Sequence, residues 1–74
     1  MPRPLRVREL IKRMTFFGVQ AKSGKGSEKK LFRPGRPMQT IRAHGDGDEV
    51  SVTTIKIACN KLGIPWDEFW QDPN

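Results

Sequence analysis

Apolar residues between Leu5 and Phe17 fall at Val7, Leu10, Ile11, Met14 and Phe17, at steps of three, one, three and three. That recurrence is the period of an amphipathic helix with one apolar stripe. It predicts a first helix over residues 5–17, with Gly18 where a left-handed residue closes a helix. The other side carries Arg6, Arg8, Lys12 and Arg13, with Glu9 the single acid among them. Phe16 lies off the stripe and is assigned to packing at the frayed end of that helix.

After Gly18 the period shortens to two. Val19 to Lys22 alternates and runs into Ser23-Gly24-Lys25-Gly26-Ser27, and Glu28 to Arg33 then regains strand character. Glycine adopts positive φ at little steric cost, so the two runs read as a hairpin. Pro34-Gly35-Arg36-Pro37 is a second turn, because neither proline can donate to a ladder. Met38 to Ala43 alternates again, with Ile41 and Ala43 on one face and Thr40 and Arg42 on the other.

A polar loop, Gly45-Asp46-Gly47-Asp48-Glu49, leads to a second helix whose apolar residues are Val52, Ile55, Ala58, Cys59 and Leu62. Ser51 or Asp48 is the expected N-cap, with Asp48 and Glu49 near the positive end of the helix dipole. Gly63 ends that helix, and Pro65 starts a short third one, Pro65 to Trp70, that lays Ile64, Trp66, Phe69 or Trp70 over the core. The pattern therefore predicts an α+β domain of order α-β-β-β-α. Two helices cover one face of a three-stranded antiparallel sheet, a short C-terminal helix follows, and the other face stays open. One domain over residues 1–74 is expected, with 1–4 and 72–74 loose.

Composition narrows the class of partner. A chain of 74 residues with 35% hydrophobic content supports one core, and a domain this small buries only about 60% of its unfolded surface. The net charge of +6 is unevenly divided. Residues 1–43 hold twelve Lys/Arg against two acids, 12 − 2 = +10, while residues 44–74 hold two lysines against six acids, 2 − 6 = −4. A one-sided positive charge concentrates phosphate-bearing partners in a salt-dependent way, which makes nucleic acid the leading class. No window approaches 18 apolar residues, and Met1-Pro2-Arg3-Pro4 has no apolar run behind it, so a cytoplasmic protein without a membrane partner is expected. Cys59, the only cysteine, sits in a packed helix and fits a reducing compartment rather than catalysis.

The densest charge lies in the stretch Lys22 to Pro34, with Lys22, Lys25, Lys29, Lys30 and Arg33. The residues expected to contact phosphate are Arg8, Lys12, Lys22, Lys25, Ser27, Lys29, Lys30 and Arg33. The plainer alternative is a solvated hairpin kept basic to prevent edge-to-edge pairing. Ser23-Gly24-Lys25-Gly26-Ser27 fails the Walker pattern, because glycine follows Lys25 and no helix follows the loop. Asp46, Asp48 and Glu49 lack the ligand number of a calcium loop. No metal or cofactor is expected.

The order and spacing of Val7-Arg8-Glu9-Leu10-Ile11, Gly18, Lys25-Gly26-Ser27, Phe32-Arg33-Pro34, Thr40-Ile41, His44-Gly45, Leu62-Gly63-Ile64 and Glu68-Phe69 resemble the HicA-type family of small bacterial toxins. The resemblance implies a double-stranded-RNA-binding-like fold, messenger-RNA cleavage by a histidine on the second strand, and a cognate antitoxin partner. Glu28, Lys29 and Lys30 follow the glycine-serine turn here, and no register places a histidine there. The family's proline at the exit of the third strand is replaced by Arg42 or Ala43.

Cleavage beside a 2′-hydroxyl needs a group that exchanges protons near neutrality. Histidine starts near pKa ~6.5, while lysine starts near ~10.4 and serves more readily as a phosphate-holding cation. The expectation is an RNA-binding protein with ribonuclease activity lost or altered. One alternative is a metal-independent mRNA endonuclease using His44 or Lys29 for proton transfer, His44 being otherwise a hydrogen-bonded loop residue. Another is a protein-interaction module that takes an acidic partner, anchored by Trp66 and Trp70.

Overall fold

A computed structural model describes residues 1–43, 45 and 47–71. His44, Asp46 and the 72–74 tail lie outside the described residues.

The elements run β1 (Leu5–Arg6), α1 (Val7–Thr15), β2 (Gln20–Ser23), β3 (Glu28–Phe32), β4 (Gln39–Arg42), β5 (Glu49–Val50), α2 (Val52–Leu62) and α3 (Trp66–Phe69). Strands β2, β3 and β4 form an antiparallel sheet in that order, with Lys22 opposite Lys30 and Lys30 opposite Thr40. Val7, Leu10 and Met14 of α1 and Ile55, Ala58, Cys59 and Leu62 of α2 are buried in one core with Leu31 and Ile41 of the sheet. The molecule is thus α+β, with helices over one sheet face and the other face bare.

Local chemistry explains the element ends. The Ser51 Oγ accepts from the Thr54 amide at 3.2 Å and caps α2, satisfying one of the donors that a helix start leaves unpaired. Gly63 closes α2 at φ 70°, with the Ile64 amide donating to the Cys59 carbonyl at 2.8 Å. This is the left-handed closure that glycine provides without a Cβ penalty.

Four expectations are corrected. Leu5 and Arg6 do not belong to α1: they pair with Val50 and Glu49 in a second, two-stranded antiparallel sheet, and the Val7 amide donates to the Asp48 carbonyl at 2.8 Å. The pairing buries both Leu5 and Val50, a gain that a helical Leu5 at this end of the stripe would not make. Asp48 and Glu49 consequently precede or form β5 instead of capping α2. Phe16 does not pack; it is 62% exposed at the C-cap of α1, since the 100° step per residue turns it away from Met14. Pro65 stands at the N-cap of α3 with ψ 131°, one residue before the helix, which is confined to Trp66–Phe69.

Candidate nucleic-acid interface

The hairpin between β2 and β3 turns through Gly24, Lys25, Gly26 and Ser27. The Gly24 amide donates to the Glu28 carbonyl at 2.8 Å, the Glu28 amide donates to the Lys25 carbonyl at 3.2 Å, and Gly26 takes φ 62°. Gly24 has a steric role: a Cβ there would lie 3.2 Å from both the Glu28 Cβ and the Lys30 Cε. The side chains of Glu28 and Lys30 therefore lie across it.

Strand alternation sorts the basic residues of the hairpin between two environments. Leu31 is buried, so Lys29, two residues away on the same face, points to the helix-covered side. It is half-buried there, and its Nζ donates to the Oγ of Ser23, its cross-strand neighbour, at 3.1 Å. Lys30 lies on the bare face with Lys22 directly opposite, and Phe32, Thr40 and Arg42 share that face. Lys25 is exposed at the turn. Ser27 is half-buried, with its carbonyl accepting from the Ala43 amide.

The bare face is electrostatically open. Glu28 sits opposite Arg42 in register, yet the ion pairs among the described residues join Glu9 to Arg3 at 2.7 Å and to Arg13 at 3.7 Å. Among the described residues, no carboxylate pairs with Lys22, Lys25, Lys30 or Arg42. Two like charges facing each other across a ladder disfavour pairing. Here the Lys22 ammonium leans over the Phe32 ring, 5.8 Å from its centroid. Phe32 itself is 37% exposed, and Met38, just before β4, is 46% exposed.

The remaining candidates lie elsewhere. Arg8 and Lys12 are exposed on the outward side of α1, across the helix layer from the bare sheet face, so they form a separate basic surface. Arg33 is directed into the fold: its Nη1 donates to the carbonyls of Leu62 at 2.8 Å and Gly63 at 2.9 Å, at the end of α2. Arg13 likewise donates to the Phe69 carbonyl at 3.1 Å, with its guanidinium 5.6 Å from the Trp70 centroid.

Trp66 and Trp70 are half-buried and pack edge-to-face at 5.4 Å, each against the buried Phe69. They close the core more than they project from it, although Trp66 also lines an open groove of about 610 Å³ with Ile57 and Pro65. Cys59 is 1% exposed, and burial pushes its thiol up to about 12, which leaves no thiolate for nucleophilic chemistry. Among the described residues no group of three His, Cys, Asp or Glu side chains is placed to hold a metal ion, and no helix is long and apolar enough to cross a membrane.

Phe32 is the residue that sequence reasoning passed over. Its signal was present, since in Lys30-Leu31-Phe32 the buried Leu31 forces both neighbours outward. Comparison with protein-family models, curated protein sequences and solved structures finds no match for this chain.

Proposed function

We propose that this protein binds RNA, holding phosphates with Lys22, Lys25, Lys30 and Arg42 on the hairpin and bare sheet face. The observation that carries this reading is the set of cations, Lys22, Lys25 and Arg42 exposed and Lys30 half-buried, without acidic partners among the described residues. Neutralising them takes counterions in the free protein, and release of ions from the RNA on binding makes the affinity fall with salt. Arg8 and Lys12 on α1 add a second region of positive potential that speeds encounter.

The resemblance of the motifs to HicA-type toxins extends the proposal to a double-stranded-RNA-binding-like fold, an antitoxin that covers the basic surface, and ribonuclease activity lost or altered with the missing strand histidine. Lys29 fits that last point: it is half-buried and engaged with Ser23. Purified protein should bind RNA with a steep salt dependence and leave it intact on prolonged incubation. Cleavage, or growth arrest on expression, that is abolished by Lys29→Ala or His44→Ala would overturn the loss of activity and select the endonuclease instead.

A further inference from the structure

We infer that the bare face of the β2-β3-β4 sheet is a stacking platform for single-stranded RNA, with Phe32 as the ring on which a base lies. This rests on the proposed RNA binding and adds to it the kind of strand bound and the contact that selects it.

The face is laid out in cross-strand rows spaced by two residues, about 7 Å. In one row Lys22, Lys30 and Thr40 stand side by side. In the next, Phe32 has Gln20 as its partner on β2. A cationic row thus runs alongside an aromatic one. That is the arrangement a single strand requires, with its phosphates along one line and its bases turned to one side of it. Phe32, the large apolar group exposed within the paired strands of this face, stands in the second row, where a base would rest.

The charge on the face also selects the occupant. Three cations, Lys22, Lys30 and Arg42, stand against one acid, Glu28, with which none of them pairs. The Lys22 ammonium lies over the Phe32 ring, 5.8 Å from its centroid, so a base takes the place of this cation on the ring, and the displaced ammonium is left beside the phosphate of that nucleotide. A duplex cannot use this surface in the same way. Its bases are already stacked and paired inside the helix, and only its backbone reaches a flat sheet.

The test compares wild type, Phe32→Leu, Phe32→Trp and Lys30→Gln for binding to an oligouridine strand, the matching deoxyoligomer and an RNA duplex of equal length. Far-UV circular dichroism and thermal melts establish that each variant is folded. Phe32→Leu should weaken binding of the oligouridine about ten- to a hundredfold, the effect of one stacked base, without changing the salt slope. It should leave duplex binding as it was, and Phe32→Trp should retain wild-type affinity. Lys30→Gln should weaken both RNA forms and lower the slope.

Unchanged oligouridine affinity in folded Phe32→Leu, with Lys30→Gln still weakening it, would overturn the platform while leaving phosphate binding in place. Tighter binding of the deoxyoligomer than of the RNA would overturn the choice of RNA. Wild type that binds no RNA at low salt would overturn both the platform and the proposed function.

Discussion

Lys29 and Lys30 are adjacent in β3, and the pleat sends them to opposite environments. Lys29 shares the face of Leu31 and Ile41, half-buried and bonded to the exposed Ser23. Lys30, also half-buried, lies on the opposite face with Lys22, Phe32 and Arg42, on a surface that no helix covers. The covered face is apolar at its centre and holds the fold together; the bare face is cationic with one aromatic ring and contributes little to the core. A run of lysines in a strand is therefore not one site, and its members divide by parity.

Breaking the covered face should have the largest effect. Leu31→Ala removes a fully buried side chain and should cost about 2–5 kcal/mol, a large share of the stability of so small a domain. Urea titration reads it directly, and alkylation of Cys59 reads it independently, because the buried thiol reacts only when the core opens. The same thiol gives a pH dependence with a definite sign. Its folded-state value is raised from 9.0 to about 12, so the stabilisation is complete below the lower value and is lost as pH rises between the two.

Arg33 sharpens the comparison, since it lies in the basic stretch yet turns to the helices. Arg33→Met should cost about 2 kcal/mol by orphaning carbonyls that a charged donor now satisfies, while the salt slope of RNA binding stays unchanged. Gly63→Ala follows at about 1 kcal/mol or somewhat more, from forcing a side chain into φ 70° where the Arg36 guanidinium already lies against the backbone. The thermal midpoint measures both. The smallest stability change, within about 0.5 kcal/mol, is expected for the double variant Lys22→Gln/Lys30→Gln on the exposed face.

Periodicity made the main sheet, both long helices and their buried residues legible. Gly18 and Gly63 marked helix ends, and Ser51 stood among the expected caps. The β1–β5 pair was not legible because two residues carry no period, and its stabilisation comes from burying Leu5 against a partner 45 positions later, Val50. The basic hairpin was legible as a charge run. Its division was not drawn, although Leu31 and the period of two were enough to place Lys29 on the helix-covered face and Lys30 and Phe32 on the bare one. The engagement of Arg33 with the end of α2 depends on how the helix layer sits on the sheet, which no local pattern reports.

The central claim is that the bare face holds phosphates through Lys22 and Lys30. The most direct measurement is the salt dependence of oligouridine binding for wild type and for folded Lys22→Gln/Lys30→Gln. Loss of two single-strand phosphate contacts should reduce the slope of log affinity against log salt by about 1.4, together with weaker binding at low salt. An unchanged slope and affinity in the double variant would contradict the account.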